Sequence, residues 1–255
     1  MKARVIYISL IMFCLIRTIQ AESAFKDPVI NKPVSATATS EAMDCLLEPN
    51  DEVKLSSQVP GILNRIMVER GDLVKQWQPV AELKSGVEQA AVELAKAKVQ
   101  FGKRKLVRNE ELYKKELISI HEKDEMETEY QISELELKEA QEKLKLRTIY
   151  STINGVVIER HHSPGEYISD APILTLASID PLNVEIIVPS SQLGKIKKGM
   201  TAYVYPELSG NRKYKGVVEI VDSIVDAASG TFTIRVRLPN PGNKISAGLK
   251  CKVAF

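Results

Sequence analysis

The stretch Pro60-Gly61-Ile62-Leu63-Asn64-Arg65-Ile66-Met67-Val68-Glu69-Arg70-Gly71-Asp72-Leu73-Val74, closed by Pro79-Val80-Ala81-Glu82-Leu83, returns in outline further along the chain. Its counterpart is Asn154-Gly155-Val156-Val157-Ile158-Glu159-Arg160-His161-His162-Ser163-Pro164-Gly165-Glu166-Tyr167-Ile168, closed by Pro172-Ile173-Leu174-Thr175-Leu176. In each, a second glycine follows the first by ten positions, an acid comes directly after it, and a Pro-apolar pair precedes a final strand. This is an internal repeat of short strands. Neither half can bury its apolar face alone, so residues 60–85 and 149–179 are predicted to pair into one small sandwich.

Between the halves the chemistry changes. No proline occurs between Pro79 and Pro164, and Gly102 is the only glycine between Gly86 and Gly155. Within residues 88–147, 14 acids and 13 Lys/Arg make 27 of 60 positions charged, which reads as solvated helix. A narrow apolar stripe runs through Met126, Tyr130, Ser133, Leu137, Ala140 and Leu144 at 4-3-4-3-4 spacing. The first half shows the same spacing in Val87, Ala91, Leu94, Lys98, Phe101, Lys105, Arg108 and Leu112. Glu116 to Glu122 breaks the register, and Ser119, three residues before Glu122, fits a helix N-cap. Residues 86–148 are therefore predicted as a helical hairpin of about 30 and 25 residues, roughly 40 Å long at ~1.5 Å per residue. Its seam is too thin for a compact bundle, so the hairpin projects from one end of the sandwich.

Further outward, residues 180–255 read as five or six short strands separated by Gly, Pro and Asn turns, with one small helical piece near Ser190 to Ile196, which suggests a β-barrel. At the other end, Lys2 and Arg4 precede an apolar run from Val5 to Ile16, with a cleavage point after Ala21. Residues 1–21 are the pattern of a secretory signal, and the run is too short to remain as a membrane span. Cys14 lacks the small residue before it that a lipid anchor would need. Residues 22–43, rich in Ala, Ser, Thr and Pro, are expected to be a mobile lead-in.

Composition excludes other classes. The 255 residues carry 35 Lys+Arg against 33 Asp+Glu, and removal of 1–21 leaves 32 against 33, a balance of −1. Nucleic-acid binding would want a strongly basic, clustered surface. Aromatic residues make up only 5%, which suits helix seams and small sheets better than a large aromatic pocket. Three histidines are too few for a His-rich metal site. Adjacent His161 and His162 point to opposite faces of a strand, and Glu110-Glu111 has no nucleophile or phosphate loop beside it. No enzyme activity, cofactor or metal is expected.

The order of split repeat, inserted helical hairpin and following barrel resembles the periplasmic adaptor, or membrane fusion protein, family of tripartite efflux and secretion systems. The resemblance runs from about Leu46 to Phe255, with Asp226-Ala227-Ala228-Ser229-Gly230-Thr231, Asn240-Pro241 and Ala247-Gly248-Leu249 matching the family's barrel. It implies an elongated mixed α and β fold: a coiled-coil hairpin inserted in a split lipoyl-like β-sandwich, followed by a small β-barrel, with 44–59 as an entry strand of the barrel region. Trp77 stands where the family usually has a turn glycine. The chain stops at Phe255 in the last predicted barrel strand, so a membrane-proximal domain is expected to be missing.

The resemblance further implies a ring of copies joining an inner-membrane transporter, RND-type favoured, to a TolC-type outer-membrane channel. Adaptors that dock on such channels carry Arg, Leu four positions on, and Ser seven further; Arg108, Leu112 and Ser119 match that spacing. Read locally, the same three are a solvated charge, the last seam residue and a helix cap. In this family the chain enters and leaves through the barrel side, so Cys45 and Cys251 could meet, as a disulfide or as two buried thiols. Lys84 is the one candidate for a lipoyl-type swinging arm, and it lies at the base of the hairpin instead of in a tight turn. The alternative function is an envelope scaffold or binding module that uses the hairpin to hold another partner.

Overall fold

A computed structural model of the chain describes residues 42–207 and 212–255. The signal-like segment 1–21, Cys14 included, lies outside the described residues, as does the lead-in through residue 41. The lead-in ends sooner than residue 43, because Met43 already pairs with Val253 in the sheet.

The two repeats build one sandwich by exchanging strands. The first supplies β2 (Gly61–Ile66), β3 (Leu73–Val74) and β4 (Pro79–Leu83); the second supplies β6 (Gly155–Arg160), β7 (Tyr167–Ile168) and β8 (Pro172–Pro189). β3 pairs with β6 of the other half, and β7 pairs with β2. The hydrogen bonds are reciprocal. Gly71 N–H donates to the Val157 carbonyl at 2.9 Å and Gly165 N–H to the Leu63 carbonyl at 2.7 Å. Val157 N–H returns to Asp72 O, and Leu63 N–H to Glu166 O. Gly71 and Gly165 sit at φ +95° and +96°, a region that favours glycine, which explains the matched second glycines of the repeat. Leu63, Val80, Leu83, Ile168, Leu174 and Leu176 are among the side chains that fill the space between the sheets.

The barrel is a closed ring of six antiparallel strands. β1 (Met43–Ser56) pairs with β12 (Lys250–Ala254), then β9 (Thr201–Pro206), β10 (Tyr214–Val221), β11 (Thr231–Leu238) and β8, which returns to β1. Closure pairs the edges that an open sheet would leave free. Alternating residues of each strand point inward, among them Leu47, Val184, Ile186, Val204, Ile234 and Val253. Cys45 and Cys251, direct register partners on β1 and β12, are joined by a disulfide with Cα atoms 4.9 Å apart.

Two boundaries differ from the sequence reading. β1 belongs to both bodies, with Leu47 in the barrel core and Leu55 in the sandwich core. β8 does the same, running unbroken across residues 179 and 180. The resemblance implies 44–59 as an entry strand of the barrel region alone, whereas these strands are placed by pairing with each other over Cys45↔Ile186 to Ser56↔Pro172. The helical piece after β8 is also shorter: a 3-10 turn at Ser190–Gln192, with Gly194 at φ +82° soon after.

The insertion is two helices, α1 (Gly86–Lys114) and α2 (Ile120–Lys145). They run antiparallel, as Lys98–Glu136 at 2.8 Å and Lys105–Glu129 at 2.7 Å show. α2 leads into β5 (Thr148–Tyr150), where Thr148 already pairs with Glu82, so the helical insert ends before 148. Arg147 secures the base: its guanidinium donates to the Pro60 carbonyl at 2.9 Å and to Glu88 at 2.6 Å.

The facing stripe of α2 is the one its spacing predicts, with Met126, Tyr130, Ser133, Leu137, Ala140 and Leu144 partly covered. On α1 the facing stripe is shifted by one residue. Val92 and Ala95 are buried, and Val99, Gly102, Leu106, Asn109 and Tyr113 are partly covered. The expected seam residues Val87, Leu94 and Phe101 are exposed. Gly102 gives the reason: a Cβ there would lie 3.2 Å from the Tyr130 ring, so the helices approach closely over small residues and leave the large ones outside.

Candidate functional site

The turn between the helices is where the sequence-selected residues gather. α1 ends with Glu116 N–H donating to the Tyr113 carbonyl at 2.8 Å and Leu117 N–H to the Leu112 carbonyl at 2.9 Å. This is the 5→2 and 6→1 pattern of a Schellman ending, with Glu116 at φ +58° in the position glycine usually takes. α2 then starts on a complete capping box. Ser119 Oγ accepts from Glu122 N–H at 3.2 Å, and the Glu122 carboxylate accepts from Ser119 N–H at 2.8 Å. These N–H and hydroxyl donors hold the Glu122 carboxyl below the ordinary glutamate range.

Ser119 is thus occupied as a cap. Arg108 lies exposed on α1, with no ion pair among the described residues, and Leu112 one turn further is partly covered. The structure brings Arg108 and Leu112 onto the last turns of α1 and Ser119 just across the loop. Sequence reading missed the apolar character of the turn itself, since Leu117 and Ile120 are both exposed. Their signal was present as Leu117-Ile118-Ser119-Ile120, an uncharged run inside a heavily charged segment.

Below the tip, a groove of about 260 Å³ is lined by Leu106, Val107, Glu110, Lys123, Met126 and Glu127 with Asn109. Lys123 lies over the Tyr113 ring, 5.1 Å from its centroid. Glu110 is held below the ordinary glutamate value, chiefly by a hydrogen bond from Lys114. These are surface groups in water, worth little as stability and available to a partner.

Elsewhere, the residues weighed for chemistry are engaged locally. His161 Nε2 contacts Thr175 Oγ1 at 2.7 Å, and His162 Nδ1 contacts Glu166 at 2.6 Å. Lys84 lies exposed between β4 and α1, and Glu110 and Glu111 are on the helix surface. Trp77 is 72% exposed at φ +66°, so a bulky residue occupies a turn conformation that favours glycine.

Comparison with known proteins follows this architecture. Residues 51–178 match the CzcB-like, barrel-sandwich hybrid domain, and residues 182–255 match the CusB-like, β-barrel domain. The antibiotic efflux pump periplasmic linker protein ArpA of Pseudomonas putida is 23% identical over 208 residues, covering 75% of this chain and 56% of ArpA. The chain spans about half the length of the curated relatives it matches. Among solved structures, a MacA-MexA chimera containing the Pseudomonas aeruginosa MexA α-hairpin domain superposes with a TM-score of 0.69 at 18% identity, covering 83% of this chain and 78% of the chimera. A putative efflux transporter from Bacteroides eggerthii gives 0.66 at 17% identity, covering 89% and 73%. Both likenesses are of fold.

Proposed function

The chain belongs to the family of periplasmic adaptor, or membrane fusion, proteins built on a CzcB-like barrel-sandwich hybrid, and from that premise we propose that it is the adaptor of a tripartite efflux system. In this reading the exported protein sits in the periplasm of a Gram-negative bacterium after loss of its signal. It joins an inner-membrane transporter, RND-type favoured, to a TolC-type outer-membrane channel. Its work is mechanical: it aligns and seals a conduit, and neither catalysis nor a cofactor is needed.

The observation that carries the proposal is the helix pair standing on the split sandwich with a closely capped tip that leaves Leu117 and Ile120 exposed. The pair acts as a short coiled coil whose turn meets helical ends of the channel. Arg108, exposed and without an ion pair among the described residues, can donate to backbone carbonyls there. Leu112, with exposed Leu117 and Ile120 beyond the turn, fills a groove between channel helices. Ser119 contributes by fixing the turn, since its hydroxyl is spent on the cap.

In-cell cross-linking from position 112 and from the barrel tests the whole reading. A channel captured at the tip and a transporter captured at the barrel are expected. Replacing Arg108 or Leu112 with Asp should weaken channel capture while helicity is retained. Unchanged efflux and unchanged capture in both variants would reject tip docking.

A further inference from the structure

The barrel has two unlike walls. Over β8, β11 and the end of β10 the outward charges cancel in pairs: Arg235 bonds Glu185 at 2.6 Å, and Arg237 bonds Glu219 at 3.0 Å. Ile187, Val217 and Ile220 lie exposed among them. On the far side, β12, β9 and the start of β10 turn Lys250, Lys252, Tyr203, Tyr205, Lys213 and Lys215 outward.

Strand register sets these side chains in rows. Lys252 is the partner of Tyr205, and Lys215 that of Tyr203. Lys213 reaches over the Tyr203 ring, 5.1 Å from its centroid, and exposed Arg212 precedes it. The acids among the described residues of this wall are Asp44 of neighbouring β1, which pairs with Lys252, and Glu207 at the end of β9. Five cations against two acids leave an excess of three. Lys215 and Lys250 make no ion pair among the described residues.

The chemistry of this wall selects its partner. Its outward polar heads are ammonium, guanidinium and phenol O–H donors, so the complement carries acceptors and negative charge. Four of the five cations are lysines, point charges on flexible stems, where a fixed carboxylate would be better matched by the planar fork of arginine. Lysines mixed with tyrosines, whose rings suit the level of lipid headgroups, make a surface that lies on an anionic bilayer. Among the described residues no helix is long and apolar enough to cross a membrane, so their hold on lipid is one of surface side chains.

We propose that the wall of β12, β9 and the start of β10 binds the phosphate headgroups of an anionic phospholipid surface, with Lys215 and Lys250 as its free charges and Tyr203 at the headgroup level. The contact needs no transporter, channel or second copy, and so stands apart from docking of the tip.

The test uses the exported chain, after loss of residues 1–21, with vesicles of phosphatidylcholine alone or mixed with phosphatidylglycerol. Co-sedimentation should show partition onto the mixed vesicles only, and added salt should release the chain. Lys215→Glu with Lys250→Glu should weaken partition by about tenfold or more, with unchanged circular dichroism. The same charge change in Lys195→Glu with Lys197→Glu, at exposed positions between β8 and β9, should alter it little. With Cys45 and Cys251 already paired, a polarity-sensitive dye on Tyr203→Cys should shift to the blue on the mixed vesicles. The dye on Ile187→Cys, three strands away around the barrel, should not, and this arm leaves every lysine in place. Equal partition onto both vesicle types, equal loss in the two double variants, or a shift at position 187 instead would overturn the proposal. So would in-cell cross-linking from position 203 that captures an acidic protein while the vesicles go unbound.

Discussion

The β body and the helix pair are held together by different physics. In the body, Leu63, Leu174, Leu182 and Ile234 have no exposed surface, strands exchange between halves, and a disulfide ties β1 to β12. In the helix pair, α1 buries only Val92 and Ala95, and α2 has no buried residue. Its contacts are surface ion pairs and partly covered side chains, each worth on the order of 1 kcal/mol or less. Most of the helix surface is therefore left to meet other molecules.

Measurements separate the two regions, and the largest difference is expected in the body. Reducing the Cys45–Cys251 bridge, which spans 206 residues of sequence, should lower stability by about 4–5 kcal/mol in chemical denaturation. Thiol titration of the unfolded, unreduced protein should find neither of these two cysteines free. Leu176→Ala, in the sandwich core, should cost about 3 kcal/mol, whereas Leu135→Ala on exposed α2 should change stability by less than about 0.5 kcal/mol. Equal effects at the two positions would erase the distinction.

Smaller effects belong to the tip. Ser119→Ala removes the cap and should destabilise α2 by about 1 kcal/mol, while Glu116→Gly relieves a left-handed residue and should stabilise the turn by about 1 kcal/mol. Amide exchange in the first turn of α2 reads both. The weakest handle is acid. Folding depresses the Glu122 carboxyl, so its contribution is present above an unfolded value of about 4.3 and is lost as pH falls through the folded one. Protection of the first-turn amides of α2, taken relative to their intrinsic exchange, should therefore fall as acid protonates Glu122 and stay constant near neutrality.

Several of these features were legible in the residues. The glycines ten apart announced the sandwich because one of each pair needs positive φ, a local requirement written into residue type. The stripe of α2 and the Ser119 cap were equally local. The α1 seam was not, since large apolar residues favour the line through Phe101 while the contact with Tyr130 selects the line through Gly102. That choice depends on a partner helix, which a single segment does not describe. The double membership of β1 and β8 was hidden for the same reason, because strand pairing between residues more than a hundred apart leaves no mark on composition. At the tip, Ser119 and Glu122 carry a recognisable cap signature, whereas the exposure of Leu117 and Ile120 depends on how the turn folds.

The exchange of strands between the sandwich halves also governs the order in which the chain can assemble. β2 must wait for β7, and β3 for β6, across the whole helical insert. Left as flexible coil, an insert of some sixty residues would make that meeting slow, because closing long loops costs chain entropy before contacts repay it. Helices form on local information within microseconds. Once paired, α1 and α2 return the chain to its starting point and deliver the second half beside the first. The insert is then a folding clasp as well as a projection, and Gln131→Pro, in the middle of exposed α2, should slow refolding of the sandwich more than it speeds unfolding.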